Sequence, residues 1–233
     1  MGRNFVIGDI HGCDVGLDLL LGELKLCADD TVVTLGDYVD RGPGSKRVIE
    51  RLIALGGECK HIALMGNHEL MIVRALDDRG ELRLWMMNGG DTTLSSYGVS
   101  ITEFYDNPGG VVKKCFPYEH IRFMSDCLVF HEDDDNIYVH ANYHPDVAMD
   151  SQLEKYVFWE HLNYVPDPHF SGKTVWVGHT PQESGYIRDM GHMVCVDSGS
   201  FFTGWLTAVE TRTGEIIQAN HKTGEVRRSV RKS

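Results

Sequence analysis

No two of the six cysteines form a Cys-x-x-Cys pair. Cys13, Cys27, Cys59, Cys115, Cys127 and Cys195 are scattered through 233 residues, which argues against a zinc ribbon and a disulfide framework and leaves them reduced. Cations are scarce as well: 22 Lys plus Arg against 34 Asp plus Glu give a formal net charge of -12. That balance opposes general binding to a phosphate backbone, and nucleic acid is not an expected partner. No apolar run approaches membrane-spanning length, and the N-terminus passes into NFVIGD without the basic, apolar and small-residue pattern of a signal. No membrane partner is expected, and the cytoplasm is the expected location. The length suits one α/β catalytic domain over residues 1–233.

The first seventy residues alternate two periodicities. Short β-rich runs occupy 4–7, 31–35 and 61–65. Between the first two, Leu17, Leu20, Leu21 and Leu24 recur at helical spacing; between the next two, Ile49, Leu52 and Ile53 repeat the pattern until Gly56 and Gly57 end it. This β-α-β-α-β order requires parallel strands joined by crossover helices, whose ligands sit beyond the carboxyl ends of the strands. From 70 to about 97 the pattern is helical, broken at Asn88-Gly89-Gly90. A Gly/Pro/Asn interruption follows at 106–110, and 117–127 reads as another helix. Runs at 128–130 and 137–139 predict a hairpin whose turn carries Glu132, Asp133, Asp134 and Asp135, an acidic run that solvation explains and that stays outside the site. Two Thr-Gly repeats, RTGEI at 212–216 and KTGEV at 222–226, predict an antiparallel meander, read as part of a mixed second sheet packed on the first. The basic tail at 227–232 reads as a frayed, solvated end.

Three motifs fall at the ends of the opening strands: GDIHG at 8–12, GDYVDRG at 36–42 and GNHE at 66–69. Later, YVHAN and VWVGHT place His140 and His179 directly after β-rich stretches. Asp9, His11, Asp37, Asn67, His140 and His179 supply carboxylate and amide oxygens and imidazole nitrogens without a thiolate, a donor set for two hard divalent ions. Asp9 and His11 lie two apart in extended backbone, so both side chains can hold one ion. Asp37 has two oxygens and can bridge, while Asn67, His140 and His179 complete the second ion. Such a pair lowers the pKa of a bound water towards neutrality and makes hydroxide available as the nucleophile. Each motif alone is a weak signal, and it is the ordered set that is specific.

These motifs resemble those of the metallophosphoesterases, specifically the phosphoprotein phosphatase (calcineurin-like) superfamily. Within it, WMMNGG at 85–90 followed by Ser96-Tyr97-Gly98 is similar to the smaller bacterial and phage serine/threonine phosphatases. The similarity runs from Asn4 through Gly178-His179-Thr180 and more loosely to Asp197-Ser198-Gly199. It implies an αββα four-layer sandwich of two mixed β-sheets flanked by helices. It also implies that Asp9, His11 and Asp37 bind one metal and that Asp37, Asn67, His140 and His179 bind the other, with Mn2+ as the activating ion in vitro and iron or zinc as possible native ions. By the same resemblance His68 is the general acid that protonates the departing alkoxide, and Asp40 orients its imidazole and raises its pKa. Arg41 is the phosphate clamp, since a guanidinium suits two phosphoryl oxygens at once.

One position departs from that pattern. Related phosphatases often carry a second phosphate-binding Arg two residues after the Trp of the segment Phe158-Trp159-Glu160-His161, and here that place holds His161. A cationic imidazole replaces part of the contact without the bidentate fork; the alternative is that His161 packs or faces solvent. His61, His120, His131, His144, His169, His192 and His221 have no motif support and are expected to be ordinary. The expected activity is in-line attack of metal-bound hydroxide on a phosphate monoester, with phosphoserine or phosphothreonine in a protein as the substrate class. The alternative is symmetrical hydrolysis of a dinucleoside polyphosphate such as diadenosine tetraphosphate, because those hydrolases share the metal motifs; a catalytically silent phosphate-binding module is a more remote one. The sequence does not indicate an oligomeric state.

Overall fold

A computed structural model describes residues 2–231. Strands β1 (Asn4–Ile7), β2 (Thr31–Thr34) and β3 (Lys60–Ala63) pair in parallel, with α1 (Asp14–Leu24) and α2 (Ser45–Leu55) as the crossovers. Burial of Leu17, Leu20, Leu21 and Leu24 seats α1 on the sheet as the period predicts. The stripe of α2 is Val48, Ile49, Leu52 and Leu55, whereas Ile53, expected in it, faces outward at 39% exposure. At 100° per residue Ile53 lies beyond Ile49, which is itself at the edge of the stripe centred near Leu52.

A block of helices follows: α3 (Asn67–Ala75), α4 (Arg79–Met87), α5 (Gly90–Ser96), α6 (Ile101–Asp106), α7 (Pro108–Cys115) and α8 (Tyr118–Asp126). The Gly/Pro/Asn interruption is therefore helical for most of its length. Asn107 caps α7 by accepting the Gly110 N–H and Pro108 sits in the first turn, where its missing N–H costs nothing. An unanticipated break between α3 and α4 arises because Asp78 accepts the Gly80 and Glu81 N–H groups and starts a new helix.

The second sheet contains β4 (Phe130–Glu132), β5 (Asn136–Val139), β6 (Thr174–Val177), β7 (Arg188–Asp189) and β8 (Met193–Cys195), in the order β4-β5-β6-β8-β7. In the predicted hairpin turn, Asp133 accepts the Asp135 and Asn136 N–H groups and the Tyr138 hydroxyl, so the acidic run is a hydrogen-bonded turn. The short helix α9 (Ser200–Thr203) leads to the meander of β9 (Trp205–Glu210), β10 (Glu215–Asn220) and β11 (Val226–Val230). The meander forms as expected but not in the second sheet. Strand β9 pairs antiparallel with β1, and the first sheet becomes β11-β10-β9-β1-β2-β3. The basic tail is likewise ordered. Arg227 lies between the rings of Tyr186 and Trp205, Arg228 pairs with Glu23 and Glu215, and Arg231 with Asp189; Lys232 lies outside the described residues.

The alternation of β1 shows how the layers stack. Val6 joins Val33, Leu35, Tyr138, Trp176, Val194 and Val209 in a core drawn from both sheets, while Phe5 and Ile7 face the cluster beneath α1 and α2. On the outer face of the second sheet, Val139, Val175 and Val177 pack with Tyr143, Val157 and Phe158, the last two in a π-helical turn at Lys155–Trp159. The result is an α/β fold of two mixed sheets, face to face, with helices flanking them. No helix among the described residues is long and apolar enough to cross a membrane.

Candidate active site

The loops that leave β1, β2, β3, β5, β6 and β8 meet along one rim of the two sheets, and their residues occupy an uncommon backbone region. Six non-glycine residues have positive φ among those described, and five of them are His11 (47°), Asp37 (52°), Asp40 (68°), Arg41 (69°) and His179 (62°). A left-handed backbone at such side chains costs free energy and persists where the surroundings over-determine it. Glycines make room for the carboxylates: a Cβ on Gly66 would stand 2.2 Å from Asp37 Oδ1, and one on Gly178 would stand 2.0 Å from Asp9 Oδ1.

All six residues with the predicted donor types come together. The ligand atoms of Asp37, His140 and His179 lie within 4.8 Å of one another, as do those of His11, Asp37 and His68, so Asp37 belongs to both groups. Asn67 Oδ1 stands 3.0 Å from His140 Nε2 and 3.1 Å from His179 Nδ1. Asp9 lies against this cluster, with both carboxylate oxygens accepting the His179 N–H at 2.9 and 3.1 Å.

The protonation pattern fits a pair of cations. His11 Nδ1 lies 2.9 Å from the Val39 carbonyl and His140 Nδ1 lies 2.8 Å from that of Leu35, which makes each Nδ1 the donor and turns each Nε2 inward as a lone pair. Burial pulls His11 and His140 below the usual imidazole pKa, and burial together with His140 pulls His179 down to about 3. Burial pushes Asp37 up, but the surrounding imidazoles, His140 and His68 foremost, hold its carboxyl below the usual range. Burial, Asp197 and Asp37 raise Asp9 well above that range. Inward-facing imidazole nitrogens gathered around the buried Asp37 carboxylate are a donor set that bound cations would satisfy.

His68 stands apart from the other three imidazoles. Burial lowers its pKa, but Asp37 and the hydrogen-bonded Asp40 more than offset this, and the net shift is upward. Its Nδ1 donates to Asp40 Oδ2 at 2.6 Å, while its buried Nε2 has no hydrogen-bond partner. One imidazole is thus shifted towards its charged form among three shifted away from it, a separation typical of acid and ligand roles.

Arg41 is exposed; its guanidinium lies 4.9 Å over the ring of Phe201, and its Nη1 donates to His11 Nε2 at 2.9 Å. His161 is exposed and stacks on His179 with ring centroids 4.5 Å apart, which places it at the rim of the cluster rather than elsewhere on the surface. Asn88 does not turn into the site, because its amide donates to the Leu84 carbonyl. None of the seven other histidines joins the metal-competent groups.

Several participants escaped the sequence reading. Glu69 is fully buried and accepts N–H bonds from Asp37, Tyr38, Val39 and Gly66. Asp197 is buried beside Asp9, and burial raises its pKa to about 7. Ser200 donates to the Asp9 and Ile10 carbonyls. The signal for the last two was the DSGS segment after β8; for Glu69 it was the final residue of GNHE.

The chain is similar to known proteins to different extents. The family model of calcineurin-like phosphoesterases matches residues 3–197. Serine/threonine-protein phosphatase 1 of Salmonella typhimurium is 30% identical over 223 residues, covering 87% of this chain and 89% of its own length. The symmetrical bis(5'-nucleosyl)-tetraphosphatase of Paracidovorax citrulli is 46% identical over 72 residues, which span only 30% of this chain and 25% of that protein. Among solved structures, a cold-active protein-tyrosine phosphatase of a psychrophilic Shewanella superposes with a TM-score of 0.69 at 17% identity, covering 98% of this chain and 80% of the other, a likeness of fold.

Proposed function

The chain belongs to the calcineurin-like phosphoesterases, and from that premise we propose that it is a dinuclear-metal phosphohydrolase that removes phosphate from phosphoserine and phosphothreonine in proteins. The observation that carries the substrate class is the reach of the match to the Salmonella serine/threonine phosphatase, 87% of this chain and 89% of that one. In this reading residues 1–233 act as one catalytic domain in the cytoplasm.

Asp9, His11 and Asp37 would hold one divalent ion, and Asp37, Asn67, His140 and His179 the other, with Mn2+ activating and iron or zinc as alternatives. When bound, the ions supply an acidified water and offset charge on the phosphoryl oxygens. The chain's own groups do the rest. Arg41 grips two phosphoryl oxygens through its fork, and His161 adds a single-point contact beside His179. His68 passes the proton on Nε2 to the leaving oxygen, while Asp40 at 2.6 Å holds Nδ1 and favours the imidazolium. A cysteine nucleophile is disfavoured: burial pushes the Cys13 thiol, two residues from His11, up to about 11.

A second reading, symmetrical hydrolysis of a dinucleoside tetraphosphate, draws on the 46% identity to the Paracidovorax citrulli enzyme. That match spans 72 residues, 30% of this chain and 25% of that protein. The two readings separate when one Mn2+-loaded preparation is given a phosphoserine peptide and diadenosine tetraphosphate. The proposal expects a higher kcat/KM on the peptide, and the reverse order would overturn the substrate class. No turnover of p-nitrophenyl phosphate would instead point to a phosphate-binding module.

A further inference from the structure

The buried Asp40 carboxylate receives more than its imidazole partner. Besides His68 Nδ1, it accepts Thr93 Oγ1 at 2.6 Å on Oδ1 and the indole N–H of Trp85 at 3.0 Å on both oxygens. Thr93 also accepts the Asp40 main-chain N–H at 2.9 Å and lies 2.9 Å from Ser45 Oγ. Trp85 is on α4 and Thr93 on α5, whereas His68 is in the first turn of α3 and Asp40 in the loop that follows β2. The indole is locked in turn: it is fully buried, and a Cβ on Gly90 would stand 2.7 Å from its ring. Two donors from the helices therefore prevent the Asp40 carboxylate from rotating and leave Oδ2 facing His68.

We propose that Trp85 and Thr93 are positioning residues for proton transfer, acting through Asp40 to aim His68 Nε2 at the leaving oxygen; this rests on the phosphoesterase reading above. A carboxylate freed from the indole and the hydroxyl gains rotamers, and the imidazole plane loses its reference. A general acid that points away from the leaving oxygen slows esters that need protonation and leaves activated ones alone. The residues that hold metal and phosphate are untouched, so the loss belongs in kcat.

The experiment uses the Mn2+-loaded full chain with Trp85→Phe, which keeps a ring and removes the donor, and Thr93→Val, which removes only the hydroxyl. Thr93→Ser is the conservative control. On a phosphoserine peptide kcat should fall about tenfold or more with KM unchanged, and on p-nitrophenyl phosphate by less than about threefold, since an activated phenolate needs little protonation. Thr93→Ser should stay near the parent, and in a His68→Asn background neither variant should cost more, because residues acting as a unit are non-additive. In the same proteins loaded with diamagnetic Zn2+ instead, the His68 Nδ1 proton resonance, identified by its loss in His68→Asn, should shift in both variants. That readout needs no turnover, so it tests the positioning even if the parent fails on p-nitrophenyl phosphate, a failure that would count against the phosphoesterase reading instead. Equal losses on the two esters, additive losses with His68→Asn, or an unmoved resonance in both variants would overturn the proposal. Should Trp85→Phe not fold, Thr93→Val carries the same comparison.

Discussion

Replacing Glu69 by Gln changes one atom in a clamp that joins two strand-end loops. Glu69 Oε1 accepts the Tyr38 and Val39 N–H groups at 2.8 and 3.3 Å, and Oε2 accepts those of Asp37 and Gly66 at 2.8 and 3.0 Å. Gln keeps one oxygen and puts an amide NH2 in place of the other, so whichever way it turns, two buried N–H groups face a donor. Each unsatisfied buried donor costs about 1–3 kcal/mol, and the pair therefore costs about 2–6 kcal/mol. Against a typical total stability of about 5–15 kcal/mol this is a large fraction. Urea unfolding of metal-stripped protein isolates the effect from metal binding. The same loop holds Asp37 at a φ of 52°, so loosening it should also weaken divalent-ion affinity by about 10–100-fold, the usual consequence of losing a group that orients a ligand. A Gln variant within about 0.5 kcal/mol of the parent, with unchanged metal affinity, would refute the reasoning.

Other changes have equally definite outcomes. His68→Asn should leave metal binding intact yet slow a phosphoserine peptide by about 10²–10⁴-fold and p-nitrophenyl phosphate far less; equal losses would mean that His68 only positions Asn67. His161→Ala should raise KM for phosphate esters by about 10–150-fold, the value of one charged hydrogen bond, and His161→Arg should lower it; steady-state kinetics showing the parental KM in both would remove His161 from the phosphate contacts. Away from the site, burial pushes Asp30 up, but the side-chain and main-chain donors of Arg3 and the Cys27 N–H prevail and hold it below the usual carboxylate range. Because the folded pKa is depressed, its stabilisation is present above the unfolded value near 4 and is lost as pH falls below it. Asp30→Asn should therefore lower the urea midpoint at pH 6 and converge on the parent in acid, and a constant difference across that range would contradict the assignment.

What the sequence shows best is what local pattern encodes. Asp9, Asp37 and Asn67 follow short, nearly continuous apolar runs, and the helices between them carry their own stripe, so the parallel core and the convergence of three loops are legible. Partner choice over long separations is not encoded that way. The Thr-Gly turns predict three antiparallel strands, but nothing local says that Phe5 will lie opposite Glu210, which is why the local pattern places the meander in the wrong sheet. Asn107-Pro108-Gly109-Gly110 reads as a loop because the same residues serve turns and helix starts, and only the cap geometry decides. Glu69 and Trp85 were visible as letters of motifs while their work was not. Glu69 binds main-chain N–H groups, which leave no trace in composition, and Trp85 reaches an aspartate 45 positions away.

The most direct test of the two-metal account is the titration of chelator-stripped protein with Mn2+, following p-nitrophenyl phosphate turnover against ions bound per chain. The account predicts no turnover in the stripped protein and recovery that is complete at two ions, with Asp37→Asn recovering neither the activity nor the second ion. Full turnover after exhaustive metal removal, or recovery complete at a single ion, would contradict it.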